Sequence, residues 1–223
     1  MKRVAIYLRL GRVSNLPTVL TNVLAGAVLA GVPLHARRVA VAILAMSLAY
    51  TAGMFLNDAF DRRADARDRP DRPIPAGLIA PLEVFVVGYG LLGIGVGLVA
   101  ATALWPALAL AGAIVAYDAW HKTNPLSPAV MALCRALVYV TAAYAVGGSL
   151  RGAVAVGALA MFAYLVALTW WAKRGGPHVA KLIAGISLLD GLAMLCGGAP
   201  LLALTGIVGY VATLRLQRRV QGT

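Results

Sequence analysis

An all-α fold, a polytopic transmembrane helical bundle of about eight spans, is what this sequence predicts, and three observations predict it. Of 223 residues, 61% are hydrophobic and only 13% charged, with a mean hydropathy of +0.83, which is far too apolar for a soluble domain. Runs of roughly 20 apolar residues, the length a helix needs to cross a hydrocarbon slab, recur along the whole chain. The charges gather between them, and the segment from Asn57 to Gly77 alone holds five of the eight acidic residues. One membrane domain over residues 1–223 is expected, without a soluble domain at either end.

The elements follow in order. An amphipathic start, Met1 to Arg12, leads into span one from about Ser14 to Val32, with Asn15 and Asn22 on one face. Arg9 and Arg12 break up any signal-peptide core, so no cleaved leader is expected. Span two, about Arg38 to Leu56, delivers the chain to the acidic segment, which Pro70, Pro73 and Pro75 turn into a bent loop closing at Gly77. Span three, about Leu82 to Ala103, contains Gly88-x-Gly90-x-x-Gly93. Without a preceding strand this is no dinucleotide site, whereas Gly93-x-x-x-Gly97 suits close packing of membrane helices. Span four, about Trp105 to Tyr117, ends in a second polar loop from Tyr117 to Pro125. Spans five (about Pro128 to Val146, with Arg135 inside), six (Ala153 to Ala172), seven (Val179 to Cys196, with Asp190 inside) and eight (Pro200 to Leu214) complete the chain.

The net charge of +12 is mostly topology. Laid out on these spans, sixteen of the twenty lysines and arginines fall on one side and three on the other, with Arg135 inside span five. The positive-inside rule then puts both termini and both polar loops in the cytoplasm, in a cytoplasmic (inner) membrane. No basic aromatic surface lies outside the membrane, so no nucleic-acid partner is expected. Cys134 and Cys196 lack ligand spacing and read as core cysteines, and the three histidines lie in separate loops without metal-ligand spacing.

On a helix, Asn57, Asp61 and Asp65 advance by about 40° each and Asp68 returns to within about 20° of Asn57, so the acids form one stripe. Like charges so placed repel, more strongly beside a membrane, and a divalent cation relieves them. Asn57, Asp61 and Asp65 offer hard oxygen ligands suited to Mg²⁺, which is commonly shared with substrate phosphates. Arg69, Arg72, Lys122 and Arg12 can add cationic contacts to the same phosphates. Such an arrangement on one face of a membrane protein suits a diphosphate with a lipid tail. The competing reading takes Asp58–Arg62, Asp65–Arg69 and Asp68–Arg72 as i,i+4 pairs that make a salt-bridged, topology-anchoring helix.

Asn57-Asp58-x-x-Asp61-x-x-x-Asp65, followed by Arg69-Pro70-Asp71-Arg72-Pro73-Ile74-Pro75-Ala76-Gly77, resembles the first signature of the UbiA superfamily of intramembrane prenyltransferases. Tyr117-Asp118-x-x-x-Lys122, with Cys134-Arg135 in the next span, is similar to the UbiA-like EboC group in particular. The resemblance implies Mg²⁺ on Asn57, Asp61 and Asp65, a prenyl diphosphate contacted by Lys122, and transfer of the prenyl group to a lipophilic acceptor, aromatic or alcohol. Ionisation releases diphosphate, and Asp118 or Asp190 can then deprotonate or orient the acceptor. The family's second acidic motif belongs at the end of span six, where this chain reads Thr169-Trp170-Trp171-Ala172-Lys173-Arg174. Lys173 and Arg174 are placed to neutralise diphosphate directly.

Two alternatives stand beside this reading. The missing second motif suits a non-catalytic isoprenoid-binding or transport component. A CDP-alcohol phosphotransferase also spaces aspartates in a membrane, but its Asp-Gly-x-x-Ala-Arg run is missing. Asp190, well inside span seven, reads either as functional or as the partner of a buried charge such as Arg135. Trp170 and Trp171 read as an interfacial anchor.

Overall fold

The computed structural model describes residues 3–220 and is helical throughout, with no strand among those residues. A short amphipathic helix α1 (Arg3–Leu10) buries Ile6 and Leu10, and a 3₁₀ turn (Val13–Asn15) joins it to α2 (Leu16–Leu29). Then come α3 (Ala36–Asp68), α4 (Pro81–Trp120), α5 (Ser127–Ala145), α6 (Gly152–Lys173), α7 (Val179–Cys196) and α8 (Pro200–Gln217). The last six are each long and apolar enough to cross a membrane, and the 3₁₀ turn with α2 forms a shorter apolar helix over Val13–Leu29.

The 40 residues of α4 would make a rod of about 60 Å, twice the ~30 Å hydrocarbon thickness. The chain instead doubles back. Ala103 leaves helical geometry (φ −134°, ψ 31°), three residues before Pro106. Before that point Gly88 meets Leu56 of α3 and Gly95 meets Ala45, so residues 81–102 run antiparallel to α3. After it Ile114 meets Gly53 and Asp118 meets Asn57, so residues 104–120 run parallel to α3. Both ends of α4 therefore lie beside the acidic end of α3, and the chain makes eight passes, with the boundary between the third and fourth where the apolar pattern puts it.

Two buried clusters hold the bundle. One joins α2 and α3 to α4 and α5 through Val23, Met46, Leu56, Leu92, Leu110 and neighbours. The other packs α2 and α5 against α6 and α7 through Tyr139, Met161, Ile186 and Met194. A third, smaller cluster seats α1 and the proline-rich loop, with Ile6, Leu10, Phe55, Ile74 and Ile79. Polar clamps at the same end hold α1 in place: Arg3 and Tyr7 bond Glu83, and Arg9 bonds Asp71 at 2.9 Å. The bond to the Glu83 carboxylate holds the Tyr7 phenol above its usual pKa.

Two expectations from sequence are corrected. Gly93 and Gly97 do not pack helix against helix among the described residues; a Cβ at either meets none of them within 4 Å. The close approaches are made by Gly88 and Gly95, on the opposite face, and by Gly26, Gly191 and Gly206 elsewhere. Asp190 makes no direct ion pair with Arg135 among the described residues, although the two charges attract across the bundle. Its carboxylate, fully buried, accepts from Thr21 (2.6 Å), Tyr139 (2.7 Å) and Asn22 (3.0 Å), so α7 is fastened to α2 and α5 by hydrogen bonds.

Candidate active site

α3 stays helical through the acidic stripe and ends at Asp68, where the chain enters turns that close at Gly77 with φ +70°. Asn57, Asp61 and Asp65 are all buried, while Asp68 is exposed. The stripe thus faces protein along three of its four members. Burial of acids demands partners, and they come from distant parts of the chain. Arg12, on a left-handed backbone (φ 41°) just after α1, donates to Asp58 Oδ1 (3.1 Å) and Asn57 Oδ1 (3.4 Å). Arg72, on the folded-back loop, donates to Asp65 Oδ2 (2.7 Å) and Asp58 Oδ1 (3.0 Å). Lys122 Nζ lies 3.2 Å and His121 Nε2 3.3 Å from Asp61 Oδ2.

None of the i,i+4 pairs of a solvated helix forms among the described residues. Arg62 caps the Ala59 carbonyl and covers the Phe85 ring, and Arg72 reaches Asp58 and Asp65 instead of Asp68. The salt-bridged-helix reading is corrected accordingly: the acids are held by the turn after α1, the loop and the α4–α5 connection.

The second polar motif meets the first. Asn57 Nδ2 donates to Asp118 Oδ1 at 3.2 Å. Asp118 is only 4% exposed, and its Oδ2 has no hydrogen-bond partner among the described residues. Tyr117 stacks on His121 with ring centroids 4.8 Å apart, which fixes the imidazole against Asp61.

These groups ring the mouth of a cavity of about 430 Å³ between α2, α3, α4, α5, α6 and α7. Arg12, Asn57, Asp61, Arg69, Arg72, Asp118 and Lys122, all anticipated from sequence, line it. Four anticipated residues do not. Asp65 is turned to Arg72, Lys173 donates to Ser127 Oγ at 2.5 Å, Arg174 lies over the Trp170 ring, and Asp190 is enclosed by Thr21, Asn22 and Tyr139. The rest of the lining is mainly apolar, with Val19, Met46, Leu110, Val138, Leu165 and Ile186, and carries Arg135 as its charged exception. Sequence reasoning overlooked His121, whose only signal was its place next to Lys122, and left Asp58 without its two arginines.

The donor chemistry fits a hard divalent cation. Among the described residues no three His, Cys, Asp or Glu side chains converge as a closed metal cage. Mg²⁺ does not need one, since it keeps several waters and takes one or two carboxylates together with substrate phosphate. Asn57, Asp61 and Asp118 are the oxygen-bearing side chains of the acidic cluster that line the cavity.

The sequence profile of the UbiA prenyltransferase family matches residues 19–213. A digeranylgeranylglyceryl phosphate synthase of Natronomonas pharaonis is 36% identical over 140 residues, 60% of this chain and 50% of that protein. One from Methanopyrus kandleri is 35% identical over 92 residues, 41% of this chain and 34% of that protein. The chain thus spans half or less of the length of these curated relatives. Among solved structures, one from work on digeranylgeranylglyceryl phosphate synthase in membranes has a TM-score of 0.65 at 18% identity, covering 98% of this chain and 88% of that one. A UbiA homologue from Archaeoglobus fulgidus bound to DMAPP and Mg²⁺ has a TM-score of 0.61 at 16% identity, covering 97% and 88%. These structural likenesses speak for the fold alone. With the family profile running from α2 into α8, and the acidic end of α3 facing the Asp118 turn across one cavity, this integral membrane protein belongs to the UbiA prenyltransferase family.

Proposed function

We propose that the protein transfers a prenyl group from a prenyl diphosphate to a lipophilic acceptor, aromatic or alcohol, within the membrane. The observation that carries this is one cavity with two chemistries: a mouth of carboxylates and cations, and apolar walls extending into the bundle. A diphosphate with an isoprenoid tail has the same two parts. The A. fulgidus homologue, whose solved structure holds DMAPP and Mg²⁺, lends support by family.

In this reading Arg12, Arg69, Arg72 and Lys122 bind the diphosphate oxygens, Asn57 and Asp61 would hold its Mg²⁺, and Asp65, turned to Arg72 outside the cavity lining, keeps that arginine in place. The ion, when bound, supplies charge neutralisation for the leaving diphosphate. Arg12 and Arg72 also fix the acids, so the charged mouth is set before substrate arrives, which lowers the cost of charge development. The C1–O bond breaks with the electron pair leaving on diphosphate, while the dry apolar walls keep water from the allylic cation until the acceptor attacks. Asp118 is placed to orient the acceptor or take its proton. Lys173 stands by at the end of α6. By the distribution of lysine and arginine, the mouth faces the cytoplasm.

A second reading, a non-catalytic isoprenoid-binding component, is favoured by one observation. No acid lies between Asp118 and Asp190, so the α6 end of the cavity offers no second carboxylate. Diphosphate release decides between them. Purified protein in nanodiscs, given geranyl, farnesyl or geranylgeranyl diphosphate with Mg²⁺ and an acceptor extract, is expected to release diphosphate, and Asp61→Asn to abolish it. Metal-dependent binding without release would favour the carrier, and no metal-dependent binding at all would sink both.

A further inference from the structure

Asp190, wholly buried on α7, makes no ion pair among the described residues. Its three partners are neutral: Tyr139 and Asn22 donate to Oδ1, and Thr21 donates to Oδ2. A carboxylate offers about four lone pairs, so Oδ2 keeps one unused. Arg135, the cation inside the bundle, is held at Thr18, one turn earlier on α2, and attracts the carboxylate only through space. Neutral donors spread a buried charge without cancelling it, and an uncompensated acid inside a membrane bundle is costly.

Around Oδ2 the fold gathers more oxygens than protons. Thr21 Oγ1 lies 2.6 Å from Asp190 Oδ2, 3.2 Å from Ser187 Oγ and 3.2 Å from the Thr18 carbonyl oxygen. Its single hydroxyl proton can serve one of them fully. Asn22, at 0% exposure, gives its Nδ2 to Asp190 while its Oδ1 has no partner. An amide oxygen only accepts, so what it lacks is a donor or a cation. Gly209 of α8 keeps the place open, because a Cβ there would come within 2.8 Å of Ser187 Oγ and 2.9 Å of Thr21 Cγ2.

A polar path leads to these oxygens. Ser14, Asn15, Thr18, Thr21 and Asn22 recur at three- and four-residue spacing and are all buried, so α2 and the turn before it carry one polar face down to Asp190. Asn15, at the outer end, lines the cavity. Gln217 of α8 donates to Asn15 Oδ1 at 3.0 Å, and Thr213 is buried one turn before it. Ser14 Oγ, Thr213 Oγ1 and Gln217 Oε1 have no partner among the described residues. A row of unpaired oxygens suits the entry of a small cation and does not suit an apolar seal.

We propose that Asp190, Thr21, Ser187 and Asn22 form a buried site for a hard monovalent cation, Na⁺, which ties α2 to α7 beneath α8. One carboxylate balances one positive charge. Mg²⁺ or Ca²⁺ would leave a net charge in a dry setting and calls for further carboxylates or waters. Oxygens 2.6 and 3.2 Å apart also make a shell too narrow for K⁺. The inference stands apart from the prenyl-transfer reading, since none of the four residues lines the cavity.

The test uses the full chain in detergent with EDTA, so that no divalent ion contributes. Melting temperature is followed as NaCl, KCl or choline chloride is added at matched ionic strength. Na⁺ is expected to give a saturable rise of roughly 2–4 °C over choline, and K⁺ distinctly less. Asp190→Asn keeps the side-chain shape, removes the charge and should abolish the rise, as should Gly209→Ala by filling the space. Ser187→Ala should raise the half-saturating Na⁺ concentration roughly 10-fold. Asp61→Asn, at the cavity mouth, should leave the Na⁺ response intact. If Asp190→Asn does not fold, the wild-type ion comparison and Ser187→Ala still decide. Equal rises in Na⁺ and choline would reduce the effect to screening and overturn the proposal. So would a rise that K⁺ matches, an unchanged Na⁺ response in Asp190→Asn or Ser187→Ala, or loss of the response in Asp61→Asn.

Discussion

Asn57 donates its side-chain amide to Asp118 across 3.2 Å, and this bond joins the acidic end of α3 to the last turn of α4. The same asparagine accepts from Arg12, so one side chain links three separate segments at the cavity mouth. An aspartate at this position could accept from Arg12 but would set a second carboxylate against Asp118, which explains an amide at the head of an otherwise acidic stripe.

Asn57→Leu and Asp118→Asn should therefore part company. The leucine leaves the buried Asp118 carboxylate without a donor, and we expect a loss of about 1–3 kcal/mol of stability together with metal-dependent diphosphate binding. Asp118→Asn keeps an oxygen that accepts from Asn57, so the fold should hold while diphosphate release falls. Reversible unfolding in mixed micelles, paired with the release assay, separates the two; equal stability loss in both would refute the assignment.

Arg72 matters more to stability than its place in a surface loop suggests. It spans Asp58 and Asp65, both buried, and its own side chain is 13% exposed. Removing one member of a buried ion cluster strands the others, so Arg72→Ala is expected to cost about 3 kcal/mol. Arg67→Ala, at an exposed position of the same helix, should stay within about 0.5 kcal/mol of the parent. A similar small effect for both would mean that the loop does not hold the stripe.

The spans were legible because membrane crossing imposes a length on apolar runs, and that length put the boundary between spans three and four between Ala103 and Trp105, where α4 leaves helical geometry. The stripe was legible because helical geometry alone aligns Asn57, Asp61 and Asp65. Which cation serves which acid was not. The i,i+4 pairing rule assumes a solvated helix, and once Asp58 is buried its partner can lie 46 residues away at Arg12. Glycine packing was hidden for a related reason. In lipid both faces of a helix are apolar, so spacing alone cannot say whether Gly93 or Gly95 meets a neighbour.

That distinction gives a direct comparison. A Cβ at Gly206 would lie 2.5 Å from the Ser187 carbonyl oxygen and 2.8 Å from Gly191 Cα, and one at Gly26 would lie 2.6 Å from the Tyr139 carbonyl oxygen. Backbone cannot swing aside as a side-chain tip can, so Gly206→Ala and Gly26→Ala should each cost about 1–3 kcal/mol. Gly93→Ala, which meets nothing, should be neutral or gain up to about 1 kcal/mol from helix propensity. Melting temperatures of the three variants settle the order, and a destabilised Gly93→Ala would mean that this face is covered.

Asp190 offers the last comparison, between a buried acid that supports the bundle and acids that act at the mouth. Its three donors come from α2 and α5, and neither it nor Thr21, Asn22 or Tyr139 lines the cavity. Tyr139→Phe removes one donor while keeping the ring that packs against Gly157, so a loss of about 1 kcal/mol is expected, in the range of hydrogen bonds between membrane helices. Asp190→Leu strands all three donors and should cost more than Tyr139→Phe, and adding Tyr139→Phe to it should cost nothing further, because the tyrosine then has no acceptor to lose. Mg²⁺-dependent binding of prenyl diphosphate should survive in Tyr139→Phe with its affinity unchanged. A selective loss of that binding, with stability intact, would instead place Asp190 in the substrate chemistry and α7 among the elements that build the site.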